Sequence, residues 1–212
     1  MEKLQQIPPS IASVSDYQPY AQARMSEQAW AYINGGVADE LTLQANLEAF
    51  QRLRLRSRVL RDLSGGHTRR ELFGVTHDFP ILLAPVAFQK LAHPDGELAT
   101  VMAADALQAG MIVSTQASTS LEDIAAAASN PLWFQLYVQP DRAFTEALVR
   151  RAEAAGYRAL VLTVDAPVNG VRNREQRAGF VLPADVQAVN LQGMRAPVAQ
   201  PAASNGALLL GG

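Results

Sequence analysis

The chain has 212 residues, of which 49% are hydrophobic and 18% charged, with a formal net charge of -2 and no cysteine. Domains usually run to roughly 100–200 residues, so this is one domain or a large part of one, and disordered, collagen-like and coiled-coil chains are excluded. Without cysteine there is no disulfide framework, thiolate metal site or thiol nucleophile, and the near-neutral charge gives no electrostatic basis for binding nucleic acid.

No apolar run approaches the roughly 18 residues of a membrane-spanning helix, and Met1 to Gln6 lacks the basic start and apolar stretch of a signal peptide. A cytoplasmic location is therefore expected, and no metal. The positive charge is carried by 16 arginines and only two lysines, Lys3 and Lys90.

The spacing predicts a helix from Asp16 to Ile33, capped by Ser15 or Asp16 and stopped by Gly35-Gly36, and a second from Asp39 to Phe50. Residues 51–62 alternate leucine with Arg52, Arg54, Arg56, Arg58 and Arg61, and Arg69-Arg70 follows. A solvated strand edge accounts for that stretch; phosphate binding is the sharper reading, which the net charge does not favour.

From residue 80 the pattern turns regular. Strands are expected at Ile81–Ala84, Met111–Ser114, Leu132–Leu136 and Ala159–Val164, with helices at Asp95–Ala109, Leu121–Ala128 and Asp141–Ala155 between them. Continuous apolar strands alternating with helices imply βαβ units and a parallel sheet buried on both faces. An open doubly wound sheet would carry a glycine-rich turn after its first strand, and Ala84-Pro85-Val86-Ala87-Phe88-Gln89 is not one. A barrel would gather polar residues at the C-terminal ends of its strands, where Ser114, Gln135, Tyr137, Thr163 and Asp165 stand. Beyond Arg177 the composition shifts: residues 178–212 hold one acid, Asp185, and one base, Arg195, and are expected to form a long flexible loop.

Five phrases occur in one order: Tyr32-Ile-Asn-Gly-Gly-Val-Ala-Asp-Glu-Leu-Thr42, Leu83-Ala-Pro-Val-Ala-Phe-Gln-Lys-Leu-Ala-His-Pro-Asp-Gly-Glu97, Ser114-Thr-Gln-Ala-Ser-Thr-Ser120, Trp133-Phe-Gln-Leu-Tyr137 and Leu162-Thr-Val-Asp-Ala-Pro167. Over residues 15–183 the chain resembles the FMN-dependent L-2-hydroxy-acid oxidases and dehydrogenases. The resemblance implies an α/β fold, the N-terminal half of a (β/α)8 TIM barrel with four parallel strands, preceded by a helical segment. It divides the chain into a helical segment at 1–62, the first half of the FMN-binding barrel at 63–177, and the loop at 178–212. In membrane-associated members that loop is the attachment segment, so a peripheral membrane contact through it is left open.

The resemblance also assigns roles. The Ala87 main chain and Ser114 would sit by flavin N5 and O4, and Gln135 and Thr163 would hold the pyrimidine edge, with Tyr137 beside the cofactor. Tyr32 and Tyr137 match tyrosines facing the substrate, Asp165 matches the carboxylate partner of the catalytic histidine, and Arg172 matches an arginine near the pocket mouth. His93 reads as the start of a helix, and His67 and His77 show no partner pattern. Gln116 stands where plant glycolate oxidases carry a tryptophan, so a glycolate preference is not supported.

Oxidising a 2-hydroxy acid requires a base, a cation for the carboxylate and a positive group near flavin N1. The family takes these from a Ser-Asn-His-Gly-Gly-Arg-Gln type segment and a strand-end lysine, neither of which occurs here. The expected function is thus FMN-dependent oxidation of a small, lactate-like L-2-hydroxy acid to the 2-keto acid. This chain would supply the N-terminal half of the site, be inactive alone, and require a complementary C-terminal half or a homo-oligomer. The alternative is a non-catalytic half-barrel acting as a folding or assembly module.

Overall fold

The computed structural model describes residues 6–165 and 169–194. The described residues divide into two compact units, 6–67 with 170–181, and 68–165 and 169 with 182–194.

In the first unit the predicted helix from Asp16 to Ile33 is broken into α1 (Tyr17–Gln22) and α2 (Glu27–Asn34). The break falls at Ser26, which is extended and whose hydroxyl accepts the Ala29 N–H at 3.1 Å, so a side chain able to cap a helix starts a new one. A third helix, α3 (Leu41–Arg52), follows. Residues 53–69 form no strand and are exposed throughout. Alternation gives a strand two faces, but a strand also requires a neighbour to receive its N–H and C=O groups, and none is present among the described residues.

The second unit opens with a hairpin, β1 (Arg70–Leu72) and β2 (Val75–His77), antiparallel across the Phe73-Gly74 turn. Then β3 (Leu82–Leu83), β4 (Gly110–Val113), β5 (Leu132–Leu136) and β6 (Ala159–Leu162) pair in sequence order, every neighbour parallel. Among the described residues the order never reverses, so they hold no topological switch point; consecutive parallel neighbours are what a barrel segment requires. β3 and β6 are shorter than expected, as their outer sides have no ladder partner among the described residues.

Three crossover helices, α4 (Glu97–Ala106), α5 (Leu121–Ala127) and α6 (Arg142–Ala154), cover one face of the sheet. Met111, Val113, Leu132, Phe134 and Leu136 pack there with Val101, Leu121, Ile124 and Leu148 in a single buried cluster. α6 shows how local chemistry fixes the spacing. The Asp141 carboxylate accepts the Phe144 N–H at 3.1 Å at its start. At its end Gly156 takes φ +89° while Tyr157 N–H reaches Ala152 O, a Schellman closure that aims the chain into β6. The hairpin meets the N-terminal end of β5, where Phe73 and His77 approach the Trp133 ring edge-on at centroid distances of 5.1 and 6.5 Å.

Residues 178–194 differ from the flexible loop expected of them. The first unit ends with α7 (Asn173–Ala178), closed by Gly179 at φ +61°. In the second unit Asn190 is 0% exposed: its Oδ1 accepts the Leu121 N–H at 2.9 Å and its Nδ2 donates to Thr119 O at 3.2 Å. That side chain docks 182–194 on the start of α5. The rest of the expected loop, 195–212, and the Ala166-Pro167 part of the fifth phrase lie outside the described residues.

Candidate functional site

The register sets the site. Pairing of Val113 with Phe134 and of Gln135 with Val161 carries Ser114, Gln135 and Thr163 onto the same face at the C-terminal ends of β4, β5 and β6. They form a hydrogen-bonded row. Ser114 Oγ donates to Gln135 Oε1 at 3.3 Å, Thr115 N–H donates to the same oxygen at 3.1 Å, and Gln135 Nε2 donates to Thr163 Oγ1 at 2.9 Å. Gln135 is only 2% exposed, and a buried amide must have such partners.

Thr115, buried and absent from the sequence-based site, is the hub of this edge. Its hydroxyl donates to Gln135 O at 2.6 Å and accepts the Tyr137 N–H at 3.2 Å. Tyr137 is held from the other side as well, its carbonyl accepting from Gln139 Nε2 at 2.9 Å. Its backbone is thereby fixed, and its ring stands half-buried just past β5. Asp165 is exposed beyond β6, on the same edge. Ala87 lies in the loop after β3, and its N–H takes no part in the main-chain bonding of the described loop residues.

The structure places Tyr32 and Arg172 in the other unit. Arg172 Nη2 donates to Tyr32 O at 2.7 Å, and its guanidinium also pairs with Glu175. The Tyr32 ring stacks on Phe180 at 4.7 Å. Ser114, Gln135, Thr163, Tyr137 and Asp165 thus share one strand-end edge, while Tyr32 and Arg172 hold each other in the helical unit.

The histidines supply no base at that edge. His93 sits in the turn before α4, its Nδ1 accepting the Asp95 N–H at 3.2 Å. His77 is buried beside Trp133, its Nε2 without a hydrogen-bond partner among the described residues. No cluster of His, Asp or Glu able to hold a metal ion occurs among the described residues, and no helix there is long and apolar enough to cross a membrane. The row is neutral, and its chemistry is orientation by hydrogen bonds rather than proton transfer.

Comparison with known proteins identifies the fold. The family model for FMN-dependent dehydrogenases matches residues 21–208. The chain belongs to that family. An L-lactate oxidase from Alicycliphilus denitrificans is 45% identical over 212 residues, 100% of this chain and 58% of the relative. Glycolate oxidase 1 from Zea mays is 41% identical over 92% of this chain and 53% of its own length. A mandelate oxidase structure with (S)-2-phenylpropionate superposes with a TM-score of 0.81 at 40% identity, covering 85% of this chain and 54% of that one. The chain therefore spans about half the length of the relatives it matches, and its four strands are the first half of the family's barrel.

The row suits the cofactor of an FMN-dependent family. With Oε1 doubly occupied and one Nε2 proton spent on Thr163, the Gln135 amide has one proton left to offer outward. The Thr163 hydroxyl, accepting from that amide, keeps its own proton to give. The O2 and O4 carbonyl oxygens of a flavin call for donors of this kind set on rigid strand ends.

Proposed function

We propose that this chain supplies the N-terminal half of an FMN site in which a small L-2-hydroxy acid, lactate-like in size, is oxidised to the 2-keto acid. The observation that carries the reading is the hydrogen-bonded Ser114–Gln135–Thr163 row across three adjacent strand ends. Gln135 and Thr163 would hold the pyrimidine edge of FMN, and Ser114 with the Ala87 N–H would address the N5 and O4 side. Bound there, FMN supplies the acceptor for the hydride equivalent leaving the substrate α-carbon.

The chain's own residues do the positioning. Tyr137, its backbone held by Thr115 and Gln139, would present its hydroxyl to the reacting substrate oxygen. Tyr32, clasped by Arg172 and stacked on Phe180, would take the substrate carboxylate. Asp165 would orient the imidazolium of a histidine that residues 1–212 do not contain. The L-lactate oxidases at 45% and 46% identity favour a short substrate side chain.

A non-catalytic assembly module is the second reading, favoured by Leu162 and Val164, which are 53% and 81% exposed at and beyond β6. One experiment separates the two. Residues 1–212 are mixed with the C-terminal half of an L-lactate oxidase, and flavin absorbance and lactate turnover are measured. Both should appear in the mixture and turnover in neither fragment alone; a mixture retaining no flavin refutes the FMN site.

A further inference from the structure

Glu97 opens α4 and is 0% exposed, yet among the described residues no ion pair compensates its charge. Neutral donors from two different loops meet it instead. From the loop after β3 comes the Gln89 N–H at 3.3 Å. From the loop after β4 come the Ser118 N–H at 2.8 Å, the Ser118 hydroxyl at 3.0 and 2.9 Å to the two oxygens, and the Thr119 hydroxyl at 2.9 Å. Two more bonds lie in the same seam: Phe88 N–H to Gln116 O and Lys90 N–H to Ser118 Oγ, both 3.1 Å.

The seam holds the backbone in conformations it would not adopt unaided. Phe88, next to Ala87, has φ 52° and ψ 48°, a left-handed geometry that costs a non-glycine residue about 1–2 kcal/mol. Gly96 has φ +52°, and a Cβ there would lie 2.8 Å from Lys90 Cγ and 3.3 Å from Lys90 N. Only glycine lets the start of α4 come close enough for Glu97 to reach both loops.

We infer that Glu97 is a positioning residue for the site proposed above. Its carboxylate pins the β3 loop to the β4 loop and so fixes the Ala87 N–H relative to Ser114, the two groups assigned to the N5 and O4 side of the flavin. The inference rests on that reading of the site.

The 212-residue chain and its Glu97→Asp and Glu97→Gln variants test it. Glutamine keeps one oxygen for the N–H donors and can donate to the two hydroxyls, which turn round to accept; aspartate is a methylene shorter and cannot span both loops. In Glu97→Asp, amide hydrogen exchange at Phe88, Gln89, Lys90 and Ser118 should accelerate about tenfold or more, with Val113 and Phe134 within about twofold and Glu97→Gln near wild type. FMN affinity of each chain mixed with the C-terminal half of an L-lactate oxidase, followed by quenching of flavin fluorescence, should fall about tenfold in Glu97→Asp and about twofold or less in Glu97→Gln.

Unchanged seam exchange in Glu97→Asp overturns the pin. Equal acceleration in the core shows general destabilisation and overturns it too, as does a loosened seam with unaltered FMN affinity. A wild-type chain that retains no FMN even when mixed with the C-terminal half of an L-lactate oxidase is a different failure: the FMN reading falls with the positioning role, and exchange alone decides whether Glu97 ties the loops.

Discussion

Gln135 Nε2 donates to Thr163 Oγ1 across the β5–β6 boundary at 2.9 Å, while the oxygen of the same amide receives the Ser114 hydroxyl and the Thr115 N–H from the end of β4. One buried side chain therefore ties three strand ends and also presents a donor outward. Structural and binding roles coincide in it, which sets it apart from Tyr137, whose bonds to Thr115 and Gln139 run through its main chain.

Replacing Gln135 by alanine leaves buried donors without an acceptor, a loss of about 1–3 kcal/mol in stability. In the reconstituted enzyme Gln135→Ala is expected to loosen FMN first, whereas Tyr137→Phe should slow turnover more than it weakens FMN retention. Flavin fluorescence titrations beside steady-state rates on one preparation give the comparison. The opposite order would show that the cofactor and substrate assignments are exchanged.

The last carbonyls of a helix lack intrahelical donors, and in α2 two arginines supply them. Arg172 Nη2 reaches Tyr32 O at 2.7 Å and Arg174 Nη1 reaches Asn34 O at 3.1 Å, with Arg174 also paired to Glu40. Arg174→Met should lower the unfolding free energy by about 1 kcal/mol, since these side chains are partly exposed and solvent screens the charge. Urea titration read by tryptophan fluorescence, from Trp30 and Trp133 together, measures it. Arg150→Met, which breaks only the exposed pair with Glu146, should leave the midpoint where it is; equal losses in both would deny the capping role.

How much of this was readable beforehand depends on the range of the interaction. β5 and α6 were legible because their signals are local: an unbroken apolar run Leu132–Leu136, the Asp141 cap, and Gly156 after the helix. Strand-end polar residues followed from where those runs stop. Asn190 was not legible, because its partner Leu121 is 69 positions away and only the packed fold joins them. The hairpin at 70–77 has three-residue strands, too short for alternation to register. Thr115 and Glu97 escaped for a further reason: each acts by holding another residue, and composition carries no trace of that.

β6 has no outer neighbour among the described residues, and Leu162 and Val164 stand largely exposed along it. An open apolar edge is prone to pair with another chain. The 212 residues alone are expected to self-associate in a concentration-dependent way, visible by sedimentation, and Leu162→Lys should suppress it. They should also fail to turn over lactate, glycolate or mandelate, because the sequence holds neither the histidine-arginine segment nor the strand-end lysine. Turnover by the purified chain would contradict this directly.

Tyr157 gives the fold a defined response to alkali. Its hydroxyl donates to Leu121 O at 2.9 Å and its ring meets Phe134 edge-on at 5.7 Å inside the helix-covered core. Burial, and secondarily the Glu122 charge, raise its pKa well above the ordinary phenol value. The folded chain therefore holds that proton more tightly than the unfolded one. Its contribution is complete below the unfolded pKa of about 10 and is lost as pH rises from there toward the folded value. Tyr157→Phe forfeits the bond to Leu121, about 1 kcal/mol at neutral pH, but no longer has a proton for the unfolded state to lose. Urea midpoints of the two proteins should thus differ at neutral pH and converge above about pH 10. A constant gap across that range would show that the phenol titrates alike in both states, contrary to its burial.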